Sequence, residues 1–498
     1  MKKLIALMLS AITMAGVLGG CGQKDPVESS DVASESTPAS SAAETVDKLR
    51  EDEGTTITFA HNQGEYIYDT FYKMGDKFKE LTGITVEWME IPSSDWDTWV
   101  TAQFAAGTEP DIVWSCDSPK DMFDQGKLVD LTPYYEQENV FNGRIWKDCF
   151  KENALDGCLS NDGTKYIGTA VTFASVALYY NKDAMAALNL GDKAPTTYTE
   201  LFKMMEVAKE DGTYIPMSVM NSMGWNLTWI EGDFFDALFH DTDIVKKLDI
   251  IVPNGYLDDS EILLGLKTGV ISYDDPRFTE YFRLMKEFSK YWNEDFNAAS
   301  WEYEALFNDG KVLFNFNGGW YPGQVVQNGI DINYGAASKP YVDSDFSQYG
   351  LATPFKYAAP SGEAGFYVTQ KCADAGRESA AVKWLQFMTD YQTGAQMYID
   401  AVMLNTCVKD VVLPEEMAEL ANVEYGDDKG TQLQKSFKFS SEVSDMYWKE
   451  YSAYLDPAST QTAEEFIEQL KADLLPFLDE AIDEYTNYDV LSYVDQVK

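Results

Sequence analysis

The sequence predicts an α/β fold divided between more than one lobe, and three observations support this. The chain has 498 residues, more than one compact core accommodates. Its composition is 45% apolar and 14% aromatic, the profile of a packed chain rather than a disordered one. After residue 54, strand and helix signals alternate as β-α-β-α-β, the order of a mostly parallel sheet with helices on its faces.

The folded part opens with TTITFAHNQGE, where Ile57 and Phe59 alternate with threonines as in a strand before the chain turns polar. In YDTFYKMGDKFKELTG, Phe71, Met74, Phe78 and Leu81 keep helical spacing, and Gly83 stops the helix. GITVEWMEI reads as the next strand, WDTWVTAQFAAGT as a helix and PDIVWSCD as a short strand. Ligands of such open sheets sit beyond the carboxyl ends of the strands, and His61, Asn62, Trp114 and Asp117 fall at such ends. Further on, VLFNFNGGWYPG alternates Val312, Phe314 and Phe316 and then runs through Gly318 and Gly319 into Trp320 and Tyr321. Glycines allow a tight exit from a strand; two large aromatics directly after one call for an explanation beyond core packing.

The amino terminus, MKKLIALMLSAITMAGVLGGC, sets two lysines before an apolar run from Leu4 to Leu18. That run is short for a membrane span and right for a signal peptide, here residues 1–20. Its end, Leu18-Gly19-Gly20-Cys21, resembles the lipobox of bacterial lipoproteins. The resemblance implies cleavage before Cys21 and lipid attachment through its sulfur, hence a protein on the extracytoplasmic face of the cell membrane; an ordinary secretory signal is the alternative. Residues 21–53 would be the lipidated cysteine and a disordered tether, rich in Ser, Ala, Glu and Asp. The formal charge of −44 opposes binding to nucleic acid or, through a basic patch, to anionic lipid. Cys116, Cys149, Cys158, Cys372 and Cys407 match no zinc spacing. A bridge between Cys149 and Cys158 and a set of unpaired cysteines both remain open. With His61 and His240 the only histidines, a histidine-rich metal site is excluded.

KFKELTGITVEWMEIP, AAGTEPDIVWSCD, GKLVDLTPY, YIGTAVTFASVALYYNKDAM, FNDGKVLFNFNGGWYPG, SGEAGFYVTQKCADAGRESAAVKWLQFMTD and TAEEFIEQLKADLLPFLDEAI follow one another from about residue 55 to 485. Together these blocks resemble the extracellular solute-binding proteins (family 1) of carbohydrate ABC importers, of which the maltose-binding protein is a familiar member. The stretch from 230 to 300 matches less well and reads as helical. The resemblance implies a two-lobed periplasmic-binding-protein-like fold of type II, with the ligand cleft between the lobes and hinge crossovers. Lobe one would comprise residues 54–170 plus 365–400, and lobe two residues 171–364 plus 401–498. It also implies a sugar or oligosaccharide ligand, ABC permease subunits as partners, no cofactor, a monomer, and no catalysis.

Sugars present hydroxyls to carboxylates and amides, and flat C–H faces to aromatic rings. The resemblance points Trp320, and with it Tyr321, into the cleft from lobe two, with a core tryptophan as the alternative. It matches Trp114 and Asp117 to sugar-contacting positions of lobe one, although Asp117 equally suits a helix N-cap. Trp225 and Trp229, four apart, share a helix face, so that one can line the cleft while the other packs. Phe173 either contacts ligand or fills the hinge. Asn62 and Gln63 either bind hydroxyls or form a plain turn. Trp448, beside Tyr447, matches a late aromatic segment but equally suits helix packing, and Glu363 lies near the second crossover. No G-x-S-x-G, P-loop or H-E-x-x-H occurs. The alternatives to a sugar receptor are the same fold binding a polyamine or other small solute, and a carbohydrate-active enzyme using two carboxylates.

Overall fold

The computed structural model describes residues 48–64, 67–92, 95–116, 118–173, 175–220, 225–297, 302–353, 365–424, 429–485 and 487–497. Its strands, in chain order, are β1 (Thr56–His61), β2 (Thr85–Glu90), β3 (Ile112–Val113), β4 (Val176–Asn181), β5 (Ile215–Ser218), β6 (Val312–Gly318), β7 (Tyr334–Ala337) and β8 (Tyr367–Val368). They pair into two four-stranded sheets, β2-β1-β3-β8 and β5-β6-β4-β7.

The first sheet follows the expected pattern. β1 lies parallel between β2 and β3, and only the late strand β8 runs antiparallel. Helix α1 (Tyr68–Thr82) buries Phe71, Met74, Phe78 and Thr82 and ends at Gly83, whose φ of 76° is the left-handed conformation glycine tolerates. Leu81 packs against the same core half-buried, and beside it the Thr82 hydroxyl donates to the Phe78 carbonyl at 2.7 Å. Helix α2 (Trp96–Ala106) ends in the same way at Gly107. The strand in PDIVWSCD is only two residues long. Its approach is fixed by buried Asp111, which accepts from the Thr58 N–H at 2.8 Å and from the Arg377 guanidinium at 2.6 Å.

The second sheet is mixed. β5 and β6 are parallel, but β4 runs antiparallel to both β6 and β7. As a result Val176, at the start of β4, pairs with Gly318, at the end of β6. All seven residues of β6 are buried. Phe314 and Phe316 join the large core of this lobe, and Val312 joins a smaller cluster with Ala177, Tyr179, Phe307 and Tyr321. A strand covered on both faces cannot alternate apolar and polar residues cleanly, so Asn315 and Asn317 are buried too. The region between residues 225 and 289 is helical: α3 (Trp225–Phe239), α4 (Asp259–Thr268) and α5 (Pro276–Ser289). Helices α6 (Glu302–Asn308) and α7 (Tyr321–Asn328) flank β6, and α8 (Gly394–Val402) and α9 (Ser441–Leu455) follow.

The two large cores divide the chain in sequence. One draws on residues from Ile57 to Phe173 and from Phe366 to Val408. The other runs from Leu178 to Leu351 and from Leu433 to Val490. Two of the connecting segments pair with each other where they pass between the sheets. Thr172 bridges Thr406 antiparallel, the Phe173 N–H donates to the Asn405 carbonyl at 3.1 Å, and the Asn405 amide reaches the Ser175 hydroxyl at 3.0 Å. Cys116, Cys149, Cys158, Cys372 and Cys407 are all buried and none is in a disulfide, so the Cys149–Cys158 bridge is not formed. Their burial suits them to packing as small apolar groups.

Candidate functional site

The end of β6 is shaped by room rather than by unusual torsion. Neither Gly318 nor Gly319 has a positive φ, contrary to the tight exit expected of them. A side chain at Gly318 would instead collide with the indole of Trp320, which folds back over that residue. At Gly319 a Cβ would lie 2.7 Å from the Ser175 hydroxyl, where the Gly319 N–H donates to the Ser175 carbonyl at 2.7 Å. The glycine pair therefore lets β6 and the crossover touch, and lets one indole lie flat on the strand end. The chain then turns directly into α7, with Trp320 at its N-cap and Pro322 in its first turn.

Trp320 and Tyr321 have opposite fates. Trp320 remains partly exposed, and its ring meets that of Trp229 at 5.7 Å between centroids and 61° between planes. Tyr321 is fully buried, edge-on to Tyr179 at 4.8 Å, with its hydroxyl donating to the Asn308 side chain at 2.7 Å. Both its apolar face and its polar tip are thus used inside the lobe, and burial pushes its phenol well above the ordinary value. Its place in the expected ligand site is withdrawn.

Trp229 is held from behind. Lys339, which follows β7, donates to the Trp229 carbonyl at 2.9 Å and to Asp233 at 2.6 Å. Glu231, buried in the same helix, accepts from Tyr281 at 3.0 Å, from Tyr447 at 2.8 Å and from Lys438 at 2.7 Å. A buried carboxylate with this many donors is compensated, and the arrangement fixes α3 against the lobe core. Lys438 also places its ammonium 4.8 Å over the ring of Trp448, so one face of that partly exposed indole is covered by a cation. At the end of β6, Asn317 donates to Glu304 at 3.1 Å; burial raises the Glu304 carboxyl above its ordinary range.

A family model of bacterial extracellular solute-binding proteins matches residues 73–424. The chain belongs to that family. No curated protein sequence matches this solute-binding protein. Among solved structures, RafE in complex with raffinose is 17% identical, with a TM-score of 0.59 over 85% of this chain and 100% of that one. Maltose-bound MalE3 of T. maritima is 18% identical, with a TM-score of 0.58 over 84% and 99%. A chitin oligosaccharide binding protein is also 18% identical, with a TM-score of 0.58 over 86% and 99%. At these identities the likeness is one of fold.

The remaining candidates of this solute-binding protein are placed unevenly. Asn62 and Gln63 are partly exposed just past β1. Trp114 is 7% exposed and edge-on to Phe366 at 4.5 Å, within the core of the first lobe. Phe173 is also buried, at the crossing between the lobes, with the Lys151 ammonium 5.7 Å from its ring. Both side chains are buried in the core of the first lobe, which favours the packing alternative for each over an open sugar-stacking face. Trp225 begins α3, but its side chain lies outside the described residues, as do Asp117, Glu363 and Cys21. Sequence reasoning missed Lys339 and Glu304. Lys339 had no signal, because its link to α3 spans more than a hundred residues; Glu304 was one acid among 82 Asp and Glu.

Proposed function

We propose that this solute-binding protein is a lipid-anchored receptor that captures a sugar or oligosaccharide between its lobes and delivers it to an ABC permease. The observation that carries the reading is the partly exposed Trp320–Trp229 pair at the end of β6. Two indoles at an angle offer apolar faces to the C–H surface of a pyranose without demanding charge from the ligand. Asn62 and Gln63 on the first lobe, and Glu304 on the second, would supply hydroxyl partners. Solved structures of the same fold hold raffinose and maltose, which is consistent with this chemistry. The paired crossover segments at Thr172 and Thr406 are where the lobes would hinge on closure. Cys21 would carry the lipid and the receptor would act as a monomer without catalysis. The tether would end before residue 48 rather than at 53, because Arg50 donates to the Glu80 carbonyl at 3.0 Å and Asp52 accepts from Ser379 at 2.8 Å and Lys383 at 2.6 Å.

Thermal shift with a saccharide panel and a polyamine panel tests the ligand class. Stabilisation by saccharides and not by spermidine or putrescine is the expected result. Stabilisation by polyamines alone contradicts it.

A further inference from the structure

Helix α3 carries a glycine that packing against the described residues does not explain. Glycine is a poorer helix former than alanine, so a helical glycine implies that something needs the space. At Gly75 that neighbour is the Trp88 ring, 3.3 Å from a hypothetical Cβ; at Gly265 it is Ile271 and Leu248, at 2.6 Å; at Gly323 it is the Val402 carbonyl, at 3.0 Å. Gly394 is pressed against the Phe387 carbonyl. At Gly232, by contrast, the nearest described atom is the Gln434 amide nitrogen at 3.8 Å, an ordinary contact that alanine would make without strain.

Gly232 also lies on the open side of its helix. From Leu227 to Phe239, only Thr228, Trp229 and Gly232 are not buried, and they are spaced so as to share one helix face. The rings of Trp320 and Trp229 are 5.7 Å apart, and Gly232 follows Trp229 by about one helical turn, roughly 5 Å along the axis. Trp229, with Trp320 packed against its ring, and the bare backbone of Gly232 thus occupy the same helix face, one turn apart. The Gln434 side chain lies against Gly232; it is 8% exposed, and its buried carbonyl oxygen has no hydrogen-bond partner among the described residues.

We infer that the ligand is a linear oligosaccharide, longer than the indole pair alone accommodates, and that a sugar ring beyond that pair lies over Gly232 beside Gln434. The absent side chain is the subsite. This rests on the sugar reading proposed above and extends it from ligand class to ligand length.

Calorimetric titration of wild type, Gly232→Ala and Gly232→Leu tests it, with mono-, di-, tri- and tetrasaccharides of the malto-, xylo- and chitin series, alongside thermal melts. Gly232→Ala is expected to melt at or above the wild-type temperature. Gly232→Leu is expected to lose affinity in proportion to chain length, least for monosaccharides and on the order of tenfold for tri- and tetrasaccharides. Equal affinity of all three proteins at every length overturns the inference alone. So does a lower melting temperature for Gly232→Ala, which would make the glycine a packing requirement. Failure of the wild type to bind any saccharide overturns the sugar reading and this inference with it. Trp320→Ala, losing affinity at all lengths, would show that the sugar reading stands whichever way Gly232 behaves.

Discussion

At the carboxyl ends of β1 and β3, His61 and Trp114 turn into the core of the first lobe, whereas at the end of β6 Trp320 stays partly open against Trp229. The difference is one of local room. His61 is enclosed by Phe59, Tyr68, Phe71 and Trp88, and Trp114 by Phe366 and Tyr398. Trp320 lies over a glycine and leads a helix whose next residue, Tyr321, takes the inward position. A strand end is therefore a site only where its neighbours leave a face uncovered. Under the proposed reading the second lobe would supply the indole pair, with Asn62 and Gln63 of the first lobe as hydroxyl partners.

The comparison breaks most visibly if the buried aromatics behave like the open ones. Trp114→Ala and Tyr321→Ala should each cost about 3–5 kcal/mol of stability, the range for large core aromatics, measured by urea unfolding without ligand. A cost near zero for either would mean that its ring is not core.

The next largest effect is a pH dependence confined to the first lobe. Burial lowers the His61 pKa from 6.5 to about 4, because the charged ring is poorly solvated there. Below pH 6.5 the unfolded chain takes up a proton that the folded chain refuses until about pH 4. Stability is therefore full above pH 6.5 and falls as pH drops through that window, by about 3 kcal/mol in total. His61→Phe, which keeps an aromatic ring in place, should flatten this part of the curve; an unchanged acid slope would contradict the burial argument.

Smaller still is Gly318→Ala. The added methyl collides with the Trp320 ring and should cost about 1–3 kcal/mol by overpacking, while weakening saccharide binding because the indole is displaced. Wild-type affinity with an unchanged melt would show that the ring has no need of that glycine.

Much of the first sheet was legible in the sequence, because α1 and α2 announce themselves by spacing and terminal glycines, and β1 and β2 by alternation. The mixed order of the second sheet was not, since the direction of β4 is set by where the crossover enters rather than by its own residues. At the site, the Trp229–Trp320 encounter depends on two segments about ninety residues apart meeting at one sheet end, which local pattern cannot encode. Tyr321 misled for a related reason: one residue of helix rotation separates an open face from a buried one. Trp114 sits at a strand end as expected, but β3 stops at Val113 and the indole folds back onto Phe366.

The central claim is that Trp320 is a binding surface and not a piece of core. Trp320→Ala, titrated calorimetrically with saccharides that stabilise the wild type and unfolded in urea without ligand, tests it most directly. The expected result is a loss of more than about 1 kcal/mol in binding free energy, the scale of aromatic contacts beyond area burial, with a single cooperative unfolding transition retained. Wild-type affinity, or a chain that no longer folds with or without ligand, would contradict it.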